Sequence, residues 1–455
     1  MPPRPLNTSS PKPSRTSRVS SAPASEHASD HASDRPSSPR AATASRRRAD
    51  DRNVQAPTDR ATTDAHRFVP AAADAAIGPL LGGLTAAQFM RRYWQRKPLL
   101  IRGAVPDIAQ FIDRETLFGL ADRDDVDSRL ITQRRGTWSL DHGPFARDEL
   151  PSARSKQWTL LVQGVNLYHD ATHALMNRFR FLPDARLDDA MYSYATDGGG
   201  VGPHFDSYDV FLLQTHGKRR WRISAQRDLA LQEGMPLKIL DRFEPTQEWV
   251  LEPGDMLYLP PHIAHDGVAI GECMTCSIGF RAPVAGEMMG QFLFDFAERA
   301  DTLKGAARRL QDKGREPTTT PARLPDDVVD TTEAWLRNIQ WNRADVERFV
   351  GRYLSEPKPN VVFDTPDNPP DEAGFLALAR RRGIAVDPRT ALLYDRHCYY
   401  INGEAGKLDR DVRDWVQRLA DRKALEGKDF VTLSGGGPVT GLLHEWYCAG
   451  WIRAA

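Results

Sequence analysis

Over its first 76 residues the chain carries almost no large apolar side chains; the stretch is built from Ser, Pro, Arg, Ala and Asp, as between Ser9 and Asp34. Such a composition buries too little surface to offset the entropy of ordering, so residues 1–76 are predicted to be a disordered tail. From residue 77 the pattern changes. Thr85-Ala-Ala-Gln88 is a capping-box sequence in front of Phe89, Met90, Tyr93 and Trp94, which predicts a helix broken by Pro98 ahead of a strand at Leu99, Leu100 and Ile101. β-Rich, partly alternating runs follow at 158–165, 191–195, 204–213, 219–223, 249–251, 256–259 and 274–280, separated by turn residues such as Gly217, Pro253-Gly254 and Pro260-Pro261. Seven short strands punctuated in this way predict an antiparallel barrel or double-sheet jelly roll.

After Pro283 the period shifts to that of a helix. Apolar residues recur at helical spacing over 287–309 and again over 331–354, where Trp335, Leu336, Ile339, Val346, Phe349, Val350 and Tyr353 share the pattern. A proline-rich loop from Pro357 to Pro370 leads to a small mixed segment. There a helix is expected from Asp371, strands near 391–394 and 398–401, the turn Asn402-Gly403, and a helix over 409–422. The organisation expected is therefore a multidomain α+β chain: tail 1–76, β-rich domain 77–284, helical unit 285–356, and a winged-helix-like module 357–455.

Composition narrows the function classes. With 61 Lys+Arg and 61 Asp+Glu in 455 residues, the chain is not a polycation gripping nucleic acid through bulk charge. Four cysteines cannot staple so long a chain, and no N-terminal apolar run precedes a cleavage site, so a reducing cytoplasm is the expected compartment. No window offers the roughly 18 consecutive apolar residues of a membrane span. Cys273-Met-Thr-Cys276 has C-x-x-C spacing, but residues three apart on a strand face opposite sides, and there is no second such pair, which argues against zinc.

The densest chemistry lies in Gly202-Pro203-His204-Phe205-Asp206. On a strand, residues two apart point to one face, so His204 and Asp206 present an imidazole nitrogen and a carboxylate to the same point. About 60 residues later, 254–265 supplies His262 and His265; the prolines at 260 and 261 favour a loop at His262, whereas His265 opens an extended segment and is the preferred third ligand. Two histidines and one carboxylate form the facial triad of non-haem Fe(II), with positions left for a cosubstrate and O2. 2-Oxoglutarate, chelating through its keto acid, needs a fixed cation for its far carboxylate. Among Lys218, Arg219, Arg220 and Arg222, alternation places Arg219 on the apolar face with Trp221 and Ile223, so Arg219 is the expected buried partner.

These residues resemble the JmjC-type, cupin-fold 2-oxoglutarate oxygenases, and in particular the bacterial ribosomal oxygenases that hydroxylate an arginine of large-subunit ribosomal protein sixteen. The resemblance rests on 93–104 (YWQRKPLLIRGA), 198–211 (GGGVGPHFDSYDVF), 217–222 (GKRRWR), 252–261 (EPGDMLYLPP), His265-Asp-Gly267 and 277–283 (SIGFRAP), spanning about 79–283. It implies His204, Asp206 and His265 as iron ligands, Arg219 as the cosubstrate's carboxylate partner, and Ser193 as a further cosubstrate contact, with Thr275 or Ser277 lining the same pocket. It also implies hydroxylation at an arginine β-carbon with succinate and CO2 as coproducts, a helical dimerisation domain that makes a homodimer, and a C-terminal winged helix. An arginine substrate should meet acidic or aromatic side chains at the mouth, for which Asp197, Tyr208 and Asp209 are candidates. Competing readings keep the same chemistry on a histidine or a methylated side chain, or make the protein a nucleic-acid-binding regulator with an inactive cupin. An intact triad with Arg219 argues against the latter, and neither charge nor motif assigns nucleic-acid binding to the winged-helix-like module.

Overall fold

The computed structural model describes residues 78–106, 108 and 111–455, so the expected tail lies outside the described residues. Helix α1 (Ala86–Arg92) opens with the capping box: the Thr85 hydroxyl accepts from Gln88 N–H at 3.2 Å while the Gln88 side chain accepts from Thr85 N–H at 3.0 Å. It stops at Tyr93, five residues before Pro98. The chain is turned there by long-range bonds, Gln95 N–H donating to the Tyr258 hydroxyl at 2.8 Å and the Gln95 amide to Asp209 at 3.0 Å.

Strand β1 (Leu99–Ile101) is followed by α2 (Arg114–Ala121), β2 (Ser128–Arg134), β3 (Thr137–His142), β4 (Trp158–Val162) and α3 (Asp170–Asn177). Then come β5 (Leu187–Ala195), β6 (Val210–Ser224), β7 (Gln247–Leu251), β8 (Met256–Leu259) and β9 (Ala264–Phe280). All nine strands join one antiparallel sheet in the order β1-β8-β6-β9-β5-β4-β2-β3, with β7 on the far half of β6. Both faces of β8 and of the first part of β6, Val210–Leu213, are buried, which is why these stretches read as unbroken apolar runs. Phe211, Leu213, Met256 and Tyr258 pack outward against Phe89, Trp94 and Phe179, whereas Val210, Leu212, Leu257 and Leu259 pack inward with Trp221, Ile223 and Leu251.

Two sequence expectations change here. Gly217 does not end a strand: β6 runs through it, with register shifts against β9 between Gln214 and His216 and between His216 and Lys218. Gly217 holds φ +60°, and a Cβ there would meet the Glu272 carbonyl at 2.0 Å, so the strand bends at the one residue that can lie so close to β9. Nor does a strand cover 204–213. His204 makes a single bridge to His265, and regular pairing begins only at Val210. The β2–β3 hairpin escaped notice because its turn is Arg135-Gly136 and its exposed face is polar.

Beyond the sheet lie α4 (Ala285–Ala297), α5 (Asp326–Arg337) and α6 (Arg343–Ser355). The first helix ends twelve residues before the expected Arg309, and the second expected helix is divided, because Asn342 caps α6 by accepting from Ala344 and Asp345 N–H groups. The remaining elements are α7 (Glu372–Arg382), β10 (Ile384–Val386), β11 (Leu392–Tyr394), β12 (Cys398–Ile401) and β13 (Glu404–Lys407). They are followed by α8 (Arg410–Arg422), β14 (Ala424–Leu425), α9 (Pro438–Cys448) and β15 (Ile452–Ala454). Two three-stranded sheets, β14-β10-β15 and β11-β12-β13, flank a core of Phe375, Ile384, Val416, Leu419, Leu443 and Trp446. This is the mixed α+β chain expected. No helix among the described residues is long and apolar enough to cross a membrane.

Gly217→Ala should cost on the order of 2–3 kcal/mol, since it adds a Cβ against backbone at positive φ. Urea denaturation reads the shift, and an unchanged midpoint would show that the bend does not depend on glycine.

Candidate metal and cosubstrate site

The His204–His265 bridge is what brings two distant segments together. His204 N–H donates to His265 O at 2.9 Å and His265 N–H to His204 O at 2.7 Å. Directly opposed residues share a face, and the two imidazole centroids lie 4.2 Å apart. Asp206 is held beside them through its own carbonyl, which accepts from His262 N–H at 2.8 Å. Its carboxylate lies 4.0 Å from His204 Nε2 and 3.6 Å from His265 Nε2, and the three ligating atoms all fall within 4.8 Å of one another. His262, at φ +64° and exposed, stays outside this cluster.

Both histidines are oriented by the same device. Nδ1 of His204 lies 2.9 Å from the Gly202 carbonyl, and Nδ1 of His265 lies 2.9 Å from the Ile263 carbonyl. A carbonyl can only accept, so each Nδ1 carries a proton, which leaves Nε2 as the atom turned toward Asp206 and the one available to a metal. Burial, and then the neighbouring His204, push the His265 imidazole down to about 3. It is therefore neutral near pH 7, the form a metal requires.

Arg219 lies on β6 opposite Ala269 and Leu251, only 4 % exposed, with Trp221 and Ile223 on the same buried face and Ile223 opposite His265. Alternation thus chooses as expected: Lys218 turns out to Glu252 at 2.6 Å and Arg222 to Asp266 at 2.5 Å. Trp221 stands between the two functions, its ring 5.8 Å from the Arg219 guanidinium carbon and 5.9 Å from the His265 ring. Gly267 makes room for it, since a Cβ there would come within 2.6 Å of the indole. Nε and Nη2 of Arg219 and Nε1 of Trp221 are buried without a partner. Buried donors left unsatisfied are costly, and these three await an acceptor-rich anion such as a carboxylate.

Ser193 is buried on β5 opposite Thr275, where its hydroxyl donates to the Thr275 carbonyl over a long 3.5 Å. The Thr275 hydroxyl donates to Gln214 Oε1 at 2.9 Å. Two residues along β5, Ala195 packs with Ala269 and Cys273, which links this polar group to the Arg219 row. Gln214 was missed by sequence reading; its one signal is a lone amide directly after the apolar run from Val210 to Leu213. Ser277 is half-buried opposite Leu212.

One substrate-contact candidate is corrected. Asp209 is fully buried and accepts from the Tyr258 hydroxyl at 2.6 Å and the Gln95 amide, so it anchors the core and does not face a mouth. Asp197 ties Lys156 at 2.8 Å to the Gly271 N–H at 3.0 Å on the surface, and Tyr208 packs against the inner core. Cys273 and Cys276 face different core clusters, as their spacing required.

The chain matches the model of the JmjC domain over residues 174–288 and that of the ROXA-like winged helix over 338–453. It is 33 % identical over 347 residues to the ribosomal protein uL16 3-hydroxylase of Escherichia coli, spanning 75 % of this chain and 90 % of that one. With a probable ribosomal oxygenase of Haemophilus influenzae the identity is 38 % over 358 residues, 75 % of this chain and 87 % of the other. Among solved structures, YcfD, a ribosomal oxygenase from E. coli in complex with cobalt and 2-oxoglutarate, superposes with a TM-score of 0.65 at 30 % identity, covering 81 % of this chain and 98 % of that one.

The His265 environment sets an acid limit on stability. The unfolded chain takes up a proton at this side chain below about pH 6.5, while the folded metal-free protein does not until about pH 3. Stability through this group is complete above about pH 6.5 and falls by up to about 1.4 kcal/mol per unit as pH drops through that window. Urea titrations of metal-free wild type and His265→Gln should differ by that slope; parallel pH profiles would contradict the buried neutral imidazole.

Proposed function

Because the chain belongs to the JmjC-domain ribosomal oxygenases, we propose that it hydroxylates the β-carbon of an arginine in large-subunit ribosomal protein uL16, using Fe(II), 2-oxoglutarate and O2. The observation that carries this reading is one interior holding two imidazoles, a carboxylate and, across Trp221, a buried guanidinium whose Nε and Nη2 have no partner among the described residues. His204, Asp206 and His265 would hold the iron, and Arg219 the far carboxylate of the cosubstrate, with Ser193 beside it. Bound there, iron and 2-oxoglutarate supply the oxidising chemistry, with succinate and CO2 as coproducts. The chain's own contribution is orientation: carbonyls fix both imidazole tautomers, Trp221 and the inner core exclude water, and Arg219 fixes which end of the dicarboxylate faces the metal.

The domain division 77–284, 285–356 and 357–455 assigns this chemistry to the first unit and assembly to the second. No residue of α5 is buried, and Met289, Leu293 and Phe294 on α4 and Leu336 and Trp341 around α5 are each more than half exposed. An amphipathic helix with no covered face calls for a partner surface, and a second copy of the chain supplies one. A ribosomal protein substrate puts the enzyme in the compartment of ribosome assembly, the cytoplasm of a bacterium.

Incubating anaerobically purified protein with Fe(II), 2-oxoglutarate, air and uL16 should add one oxygen atom to an arginine. His204→Ala should abolish this. Arg219→Ala should raise the KM for 2-oxoglutarate about a hundredfold, in line with loss of a buried charge partner. 2-Oxoglutarate consumption without modified uL16 would keep the oxygenase and discard the substrate.

For assembly, Phe294→Asp with Leu336→Asp should halve the mass seen by light scattering. A dimer that survives both changes would move the interface elsewhere.

A further inference from the structure

A cleft of about 570 Å³ lies away from the metal cluster, where residues 180–185 of the oxygenase sheet domain, α6 and the strands β11 and β12 meet. Its floor is apolar and half-open: Val346, Val350 and Leu354 on α6 face Leu393 and Tyr394 on β11. Its charged lining is lopsided, with the carboxylates Asp184, Glu347, Asp395 and Asp421 against the guanidiniums Arg180 and Arg343.

Most of these charges are committed to holding the fold. Arg180 forks onto Asp184 at 2.7 Å and donates to the Ala420 and Asp421 carbonyls at 2.9 and 2.6 Å, closing the C-terminal end of α8. Lys423 reaches Asp184 from behind at 2.7 Å, and Arg343 pairs Glu347 at 2.7 Å. Asp395 and Asp421 are different. Among the described residues neither has a Lys or Arg in ion-pair distance; Asp395 accepts from the Tyr400 hydroxyl at 2.5 Å and from the His397 and Cys398 N–H groups at 2.7 Å each, and Asp421 accepts from the Tyr394 hydroxyl at 2.8 Å. Burial and then these carboxylates push both phenols up, Tyr394 to about 12, so the hydroxyls remain donors.

Two carboxylates without an ion-pair partner among the described residues, above an apolar floor, fit a side chain that has an aliphatic stem and a cationic head. Phosphate is repelled by the same lining, so a nucleic acid does not fit. Proteins that sit against ribosomal RNA are basic for the converse reason. We propose that this cleft docks a basic segment of the ribosomal protein substrate distant from the hydroxylated residue, with Lys or Arg heads on Asp395 and Asp421 and their stems along Val346, Val350 and Leu393. This rests on the reading of the chain as a ribosomal protein hydroxylase. The winged-helix module and the oxygenase domain then build one exosite together, and substrate length becomes a determinant of affinity.

The test compares full-length uL16 with a short peptide carrying only the target arginine and its neighbours. In Asp395→Asn/Asp421→Asn the amides can still pair with the two phenols, so packing is kept while charge is lost. The KM for full-length uL16 should rise about tenfold with kcat unchanged, while the short peptide behaves as with wild type. In wild type the advantage of full-length substrate should shrink as salt is raised. Val346→Arg, at a partly exposed position that tolerates a long side chain, should reproduce the defect by placing a cation in the cleft. An unchanged KM for full-length uL16, or equal effects on both substrates, overturns the proposal. If wild type hydroxylates neither substrate, the catalytic reading fails, and calorimetric titration of full-length uL16 into wild type and the double variant decides docking separately: weaker binding by the variant upholds it, equal binding overturns it.

Discussion

The pairing of β6 with β9 sets the relative positions of Arg219, Trp221 and His265. Three successive same-face pairs, Arg219 with Ala269, Trp221 with Gly267 and Ile223 with His265, place a cation, a spacer and a ligand in a row. Side chains alternate with a period of two, so a slip by one residue would turn His265 out of the barrel and bring Asp266 in. Several features oppose that slip. The Arg222–Asp266 ion pair locks the outer face at the same register, the His204 bridge adds two backbone hydrogen bonds at the mouth of β9, and the bend at Gly217 prevents β6 from sliding as a straight ribbon. The small residues opposite, Ala269 and Gly267, are as necessary as the large ones, because they leave depth for Arg219 and Trp221.

Charge balance in the interior follows from the same row. Asp206 and Arg219 cancel one another in formal charge, and a divalent metal cancels a dicarboxylate dianion. Metal and cosubstrate together therefore enter a low-dielectric interior without leaving a net charge in it, which either alone would do. As metal ligands the two histidines would add no charge, each keeping its Nδ1 proton on a carbonyl. The unsatisfied N–H groups of Arg219 and Trp221 are then a consequence of design for a ligand that carries acceptors, and their desolvation is offset only when it is present.

Local rules made the ligands and the cation legible in the sequence. His-x-Asp, a histidine opening an extended segment after two prolines, and alternation through Lys218 to Ile223 each depend on a few neighbouring residues, and the structure brings those residues together in one interior. What local rules could not supply is long-range. The His204–Asp206 geometry arises from a bridge and a turn, not from the regular strand expected there, because residues 205–209 are held by His262 and by the buried Asp209 rather than by a ladder. Asp209 looked like a surface acid until Tyr258, 49 positions away, was found to cover it. Gln214 was invisible for the same reason: an amide in an apolar run acquires meaning only once Thr275 lies opposite it.

The C-terminal module shows how far fold-level analogy reaches. Over residues 357–455 Lys and Arg number fourteen and so do Asp and Glu, so the module has no net charge with which to draw in a phosphate backbone. Its helix α8 also ends against the oxygenase domain, where Arg180 satisfies two of its last carbonyls and the Asp184–Lys423 pair is taken out of water. Burying such ions gains little stability, since desolvation offsets most of the attraction, but removing any one partner leaves the others uncompensated. An interface of that kind tolerates one orientation and penalises its neighbours. The winged helix is thereby held in register with the catalytic sheet, and its surfaces stand at fixed positions relative to the metal cluster.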